Sequence, residues 1–258
     1  MSVFPVRGLG AQLRFAEDVY RTQFLKILPF YLLLSLPYFG LVEYGPVLEG
    51  TRSTSLVIGP VTSWNVLAGI AGTLPRAYAL AYAAAAVGKL RVKPQIRFKR
   101  RLALILRWGL FSTGLWLPSF LLIEQGSLYL LLAGVTAVGQ LLFSLALPIL
   151  VIEQTDLVEA GRANVTLVSK HSGRTGGYLL TAMFTAGLLL AVANGLISWV
   201  TFQTWSQELR TSFSVWAVTL RFIPRVLESL AMLYVAIFTA IFYLSLRAEA
   251  NERLDRQS

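Results

Sequence analysis

Six apolar stretches dominate the chain, and each is long enough to cross a lipid bilayer. They run over residues 24–42, 64–88, 102–123, 128–152, 178–200 and 226–246. A bilayer core about 30 Å thick is crossed by about 20 apolar residues in a helix, because lipid offers no partners for exposed backbone polar groups. The stretches therefore predict an all-α polytopic membrane protein in which six transmembrane helices form three hairpins.

The charge content agrees with a chain that lies mostly in lipid. Only 14% of its 258 residues are charged and 55% are hydrophobic, whereas a soluble domain has about 25% charged residues. We expect an N-terminal interfacial amphipathic segment (1–23), a six-span transmembrane domain (24–248) and a charged cytoplasmic tail (249–258).

Positive charge is distributed unevenly between the two sides of the predicted spans. Seventeen of the 23 lysines and arginines fall on the side of the two termini, and four fall on the other side. The positive-inside rule then places both termini in the cytoplasm, in a prokaryotic inner membrane. The net charge of +10 is explained by contact with anionic head groups at that face, and we expect no nucleic-acid partner.

Small residues mark the second span as the one with the closest neighbours. Ala77, Ala81 and Ala85 recur every four residues, and Ala68 precedes Gly72 by the same interval. Small side chains allow membrane helices to approach closely. This span is therefore predicted to lie at the centre of the bundle.

A short amphipathic segment, 156–170, follows the fourth span and forms a predicted elbow at the cytoplasmic interface. Thr155 is placed to cap it, and Gly173 to end the turn that follows. Segments 9–23 and 91–101 are the corresponding interfacial stretches before the other two hairpins. The apolar residues of the elbow share one helix face: Leu157, Val158, Gly161, Val165 and Val168.

The region around the elbow resembles a known family. The stretch LALPILVIEQTDLVEAGRANVTLVSK is similar to the membrane domain found with bacterial and archaeal glycerophosphoryl diester phosphodiesterases and in the stand-alone YciC-like proteins. The resemblance implies a non-catalytic six-span region, because the phosphodiesterase chemistry belongs to a separate soluble domain. The residues that carry it are Pro148, Glu153, Ala160, Arg162, Tyr243 and Arg247.

Arg76 is the most unusual residue within a predicted span. An arginine near the bilayer centre costs at least about 2.5 kcal/mol, so it is expected to face the bundle interior, a water-filled cavity or a partner. Glu228 is the acid placed to form an ion pair with Arg76, and Arg225 lies one turn before Glu228. The alternatives are a pocket for an anionic lipid, a substrate or a cofactor, and a structural ion pair or snorkelling side chain.

Two further groups of polar residues lie on the predicted cytoplasmic side. In the elbow region, Glu153 and Arg162 are expected to anchor the elbow, while His171 is either a solvated interfacial residue or a pH-sensitive ligand. The basic loop 89–101 either sets topology or docks on anionic lipid or an acidic soluble partner. Its candidate residues are Lys93, Arg97, Lys99, Arg100 and Arg101.

Residues for catalysis or cofactor binding are scarce. The chain has no cysteine and one histidine, and it lacks HExxH, GxSxG and Gly-rich phosphate-loop motifs. We therefore expect no enzyme activity, no cofactor and no metal site. Two hypotheses remain: a scaffold or accessory subunit of a larger membrane complex, and a six-span permease subunit of the ABC-2 type that works with an ATPase and moves a lipid, peptide or other amphipathic substrate.

Overall fold

Helices make up nearly all of the described part of the chain, which contains no β-strand. The computed structural model describes residues 8–48, 63–88, 93–121, 138–139, 143–204 and 215–255. The all-α prediction is confirmed for these residues, while most of the fourth predicted span lies outside them. The helices are α1 (Leu9–Leu48), α2 (Ser63–Ala86), α3 (Pro94–Leu121), α4 (Ala146–Ile152), α5 (Leu157–Lys170), α6 (Ser172–Thr204) and α7 (Val215–Asp255).

Two segments of the described chain are long and apolar enough to cross a membrane. They are Leu9–Val42, within α1, and Arg225–Asn251, within α7. The first is largely exposed and the second is largely buried among the other helices. Helices α2, α3 and α6 occupy the positions of the second, third and fifth predicted spans.

Helices α1 and α7 are continuous across the boundaries predicted at both ends of the chain, so no break in a helix marks either boundary. Helix α1 runs through the predicted junction between the segment 1–23 and the first span, and α7 runs from Val215 to Asp255, into the predicted tail. At residues 23–24 there is no glycine or proline to end the helix, and the apolar period of the interfacial segment continues into the span.

Helix α2 lies at the centre of the fold, as predicted. It packs against α1, α3, α4 and α7, and Ala77 and Ala81 are fully buried. A Cβ atom on Gly109 of α3 would lie only 3.2 Å from the Cα atom of Ile70. The small residues therefore allow α2 and α3 to approach until their backbones are nearly in contact.

Most of the predicted basic loop is helical. Helix α3 begins at Pro94, where a proline is favoured because the first helical position has no intrahelical use for its N–H. Lys93 immediately precedes the helix, and the other four basic candidates lie on its first two turns. The loop prediction is thus wrong for residues 94–101.

The predicted elbow helix is present as α5, but its ends differ from those expected. The cap is Asp156, whose carboxylate accepts from the Glu159 backbone N–H at 2.7 Å, so the assignment of Thr155 as the cap is wrong. After α5 the chain turns at His171 alone and continues as α6 from Ser172. Gly173 lies within α6 and does not end a helix.

The face that helix α5 buries overlaps only in part with the stripe that its apolar residues define, because Val168 is in the core and Leu157 packs against it. Its buried residues are Ala160, Asn164, Leu167 and Val168, while Val158 is 65% and Val165 40% exposed. Asn164 is buried because its Oδ1 accepts from the Leu145 backbone N–H at 2.9 Å, a group at the start of α4 that has no intrahelical partner. Most of the predicted apolar stripe consequently lies outside the core.

Candidate functional site

Glu153 lies at the end of α4 and binds two residues of α7. Its carboxylate accepts a hydrogen bond from the Tyr243 hydroxyl and two from Arg247, from Nε at 2.7 Å and Nη2 at 3.3 Å. Tyr243 is almost fully buried. The side chain of Glu153 therefore joins the elbow to the last helix through one buried hydroxyl and one half-exposed guanidinium.

Two arginines of α3 bind the same linker from the other side. Arg97 Nη1 donates to the carbonyl of Ile152, and Arg101 donates to the carbonyls of Thr155, at 2.8 Å, and Gln154. The last carbonyls of a helix lack intrahelical partners and attract cations. We call the five residues from α3, the linker and α7 the elbow clamp: Arg97, Arg101, Glu153, Tyr243 and Arg247.

Gln154 adopts a backbone conformation that the clamp helps to maintain. Its φ of 63° lies in the left-handed region, which costs a non-glycine residue about 1–2 kcal/mol. With its amide oxygen oriented toward α3, Gln154 accepts from Arg97 Nη2 at 2.8 Å and Nε at 2.9 Å. The main chain and side chain of this strained residue are thus both bound to α3.

The positive charge of Arg101 acts on the neighbouring guanidinium of Arg97. Burial lowers the pKa of Arg97 below its ordinary value, and the neighbouring charge of Arg101 lowers it further. A guanidinium keeps its proton in proteins, so Arg97 still carries a positive charge. Two cations are therefore held close together by the carbonyl oxygens of the linker.

The remaining basic candidates are exposed. Lys93, Lys99 and Arg100 lie at the start of α3 with their side chains exposed. The structure thus divides the basic candidates into two that fix the elbow and three that present positive charge at the surface. The role of these three in topology or docking stays a prediction.

The other two elbow candidates have different surroundings. His171 lies at the end of α5, where its backbone N–H donates to the carbonyls of Leu167 and Val168, each at 3.2 Å. Arg162 does not contact Glu153, whose described partners are Tyr243 and Arg247. The prediction that Glu153 and Arg162 anchor the elbow together is therefore wrong for Arg162.

Arg162 instead lies beside an apolar groove between α3 and α5. The groove has a volume of about 700 Å³. One wall carries the part of the α5 apolar stripe that does not pack into the core, and the other carries aromatic rings. Its described lining residues are Trp108, Phe111, Phe143, Leu157, Val158, Gly161, Arg162, Val165 and Thr166.

The predicted pair of Arg76 and Glu228 is not formed among the described contacts. Glu228 binds Arg225 at 2.9 Å and accepts from the Tyr38 hydroxyl at 2.9 Å. The Arg76 side chain is exposed, yet it lies within electrostatic range of Tyr31 and Tyr38, as Glu228 does. Arg76 and Glu228 therefore both act electrostatically on Tyr31 and Tyr38, while these two charged residues form no ion pair with each other.

One ion pair was missed by the sequence reasoning. Arg174, at the start of α6, binds Glu249 through two contacts, one of them from Nη2 to Oε1 at 3.1 Å. Glu249 is only 9% exposed, although it stands in the charged run that was predicted to be a solvated tail. Nothing in that run distinguishes a buried acid from its exposed neighbours.

Over the residues that the structure describes, these observations define a helical protein with two helices that could span a membrane and with an elbow held by arginines and a glutamate. No protein-family model, curated protein or solved structure matches the chain. Segments that carry the resemblance described above, around Glu153 and around Tyr243 and Arg247, meet in the elbow clamp.

Proposed function

We propose that the chain is a multi-pass protein of the prokaryotic cell membrane, with six spans and both termini in the cytoplasm. In this proposal it is a non-catalytic scaffold or accessory subunit of a larger membrane complex. The observation that carries the proposal is the exposed apolar face of α6. Leu180, Met183 and Phe184 are each at least 70% exposed, and Leu188 and Val192 extend the face.

An exposed apolar face of this length requires lipid or a partner. Residues 180–192 extend about 18 Å along a helix axis, and in water such a continuous apolar surface is rare on monomeric proteins. Helix α1 presents a second apolar surface through Leu25, Leu33 and Leu36. Lipid covers these surfaces in the proposed arrangement, and part of the α6 face contacts a membrane-protein partner.

The elbow clamp supports a structural role for the cytoplasmic side. It joins α3, the linker after α4 and α7 through hydrogen bonds to charged groups, which are stronger than neutral ones. Anionic head groups then contact the exposed cations at the start of α3, Lys93, Lys99 and Arg100. A cytoplasmic end whose helices are joined by the elbow clamp, below the exposed apolar faces of α1 and α6, suits a subunit that positions other subunits.

The alternative, a permease subunit of the ABC-2 type, is favoured by Arg76. This residue would lie near the middle of the second span, exposed but within electrostatic range of Tyr31 and Tyr38. Intramembrane charges often mark the pathway of a substrate or ion. In that case an ATPase is the expected partner, and an amphipathic molecule is the expected substrate.

The membrane topology is testable with single cysteines, because the chain has no cysteine of its own. Two variants, Lys99→Cys and Arg52→Cys, are treated with a membrane-impermeant maleimide on intact cells. We expect labelling at position 52 in intact cells and at position 99 only after the membrane is opened. Labelling of position 99 in intact cells would contradict the topology.

The scaffold and permease hypotheses are separated by the proteins that remain bound after mild detergent extraction. A stable complex without an ATPase supports the scaffold, and a bound ATPase supports the permease. We expect Phe184→Ser, on the α6 face, to release the partner, and the matched change Leu25→Ser, on α1, to retain it. Retention by both variants would contradict the proposed use of the α6 face.

A further inference from the structure

We propose that the groove between α3 and α5 binds an anionic phospholipid, with an acyl chain along its apolar walls and the phosphate at Arg162. This inference rests on the proposed membrane placement and adds a specific lipid site to it. The site is distinct from the elbow clamp, because the clamp arginines, Arg97 and Arg101, do not line the groove.

The walls of the groove have the chemistry that an acyl chain requires. On the α5 side, Val158 and Val165 are 65% and 40% exposed, and these two residues of the apolar stripe do not pack into the protein core. On the other side, the Phe111 and Phe143 rings lie 5.2 Å apart, edge to face, and Trp108 is 5.4 Å from Phe111. An acyl chain would cover both apolar surfaces at once.

The size and floor of the groove also fit an elongated apolar ligand. Its volume of about 700 Å³ lies within the range of about 300–1,000 Å³ found for small-molecule sites. Gly161 leaves space on the α5 wall, since a Cβ atom there would first meet Phe143, at 3.8 Å. A larger side chain at this position would enter the volume that the acyl chain is proposed to occupy.

The charge beside the groove selects the head group. Arg162 is exposed and lines the groove, and among the residues that the structure describes it has no carboxylate partner. Thr166, one turn later, does not compete for the guanidinium, because its hydroxyl donates to the Arg162 backbone carbonyl at 2.9 Å. An arginine donates to phosphate through two parallel N–H groups, and a phospholipid at the membrane interface supplies a phosphate directly above an acyl chain.

Charge complementarity favours a lipid over the other occupants of an apolar groove. The chain carries a net charge of +10, and α3 begins with further cations, so a negative head group is attracted to this end of the protein. A purely apolar partner helix would leave Arg162 without a counter-charge. A soluble phosphate compound would leave the aromatic wall uncovered.

The proposal is tested by titrating the purified full chain in a non-ionic detergent with two lipids and following binding by native mass spectrometry. The lipids are palmitoyl-oleoyl phosphatidylglycerol, which is anionic, and palmitoyl-oleoyl phosphatidylcholine, which is zwitterionic. We expect Arg162→Gln to weaken phosphatidylglycerol binding about fivefold, the effect of one cation near an anionic surface. Its matched control is Lys170→Gln, an exposed cation of the same helix that does not line the groove.

A second variant tests the acyl-chain part of the site. Gly161→Leu should weaken the binding of both lipids, because the added side chain fills the groove. Gly173→Leu is its control, since a Cβ atom there meets nothing within 4 Å. If Gly161→Leu does not elute as a monodisperse protein, Arg162→Gln, at an exposed position, still decides the question.

The outcomes separate the lipid site from the proposed function. If each variant binds lipid as its control does, or if a protein rather than a lipid is found in the groove, the lipid site is wrong. That result leaves the membrane placement intact. If the chain is removed from membranes by a carbonate wash, the proposed function fails and the lipid site fails with it.

Discussion

The elbow clamp makes a specific prediction about Glu153→Ala. Its carboxylate is the acceptor for the buried Tyr243 hydroxyl and for two N–H groups of Arg247. Alanine removes this acceptor, so the hydroxyl is left unsatisfied and the guanidinium loses its counter-charge. We expect a lower free energy of unfolding, because the link between the elbow and α7 is lost.

The magnitude follows from how exposed each partner is. An unsatisfied buried hydroxyl costs about 1–3 kcal/mol. The side chains of Arg247 and Glu153 are 50% and 23% exposed, so the ion pair itself is counted at no more than about 1 kcal/mol. The expected loss is about 3 kcal/mol in total, which lowers the melting temperature by about 6–12 °C in a chain of this size.

The assay is thermal unfolding of the detergent-solubilised protein, followed by tryptophan fluorescence at a fixed detergent concentration. Glu159→Ala is the matched control, since Glu159 is an exposed acid on the adjacent helix α5. We expect it to change the free energy of unfolding by no more than about 0.5 kcal/mol.

A second substitution tests the cause of the loss. In the Glu153→Ala background, Tyr243→Phe removes the orphaned hydroxyl and should recover about 1–2 kcal/mol. The reasoning is refuted if Glu153→Ala melts within 1 °C of the Glu159→Ala control. It is also refuted if Tyr243→Phe destabilises the Glu153→Ala variant as much as it destabilises the unchanged protein.

Two further predictions concern close packing and a buried amide. Gly109→Ala places a Cβ atom 3.2 Å from the Ile70 Cα atom, and overpacking of this kind costs about 1–3 kcal/mol. The control Gly114→Ala lies on the same helix with open space and should stabilise the chain by about 0.5–1 kcal/mol in the same melting assay, because alanine favours a helix more than glycine does. Asn164→Leu should destabilise the chain by about 1–3 kcal/mol, because the Leu145 backbone N–H loses its acceptor. A melting temperature equal to that of the unchanged protein would contradict this prediction.

Periodicity and length predicted the long described helices but not all of their ends, and of the fourth predicted span the described part is the short helix Ala146–Ile152. The elbow helix was predicted at 156–170 and is observed at Leu157–Lys170, although Thr155 is not its cap and Gly173 does not end a helix. The junction after residue 23 has no such mark, and two amphipathic and apolar patterns with the same period form one helix there. A change of environment from interface to lipid does not by itself interrupt a helix.

The orientation of the elbow helix could not be predicted from its apolar residues. The pattern defines a stripe through Val158 and Val165, yet the buried face contains Asn164. That face is selected by a tertiary requirement, since the Leu145 N–H at the start of α4 needs an acceptor. The sequence pattern contains no signal for this need, because the donor and the acceptor are 19 residues apart.

Partners in the ion pairs were also beyond sequence reasoning. Glu153 was identified as important, but its partner Arg247 lies 94 residues later. Arg162, which was expected to anchor the elbow together with Glu153, does not contact it. Residues 97 and 101 were grouped with three other cations, although only these two reach the linker. The sequence therefore identified segments that take part in ion pairs, but it did not identify the partner of Glu153.

The cluster around Arg76 shows where the two functional hypotheses diverge. Glu228 is already bound by Arg225, so the three groups together carry one net positive charge. Within the proposed membrane placement this charge would cost at least about 2.5 kcal/mol if it faced lipid, and no carboxylate among the described residues pairs with Arg76. A scaffold would therefore need an acidic group from its partner near α2. A permease would need a water-filled passage or an anionic substrate at the same depth.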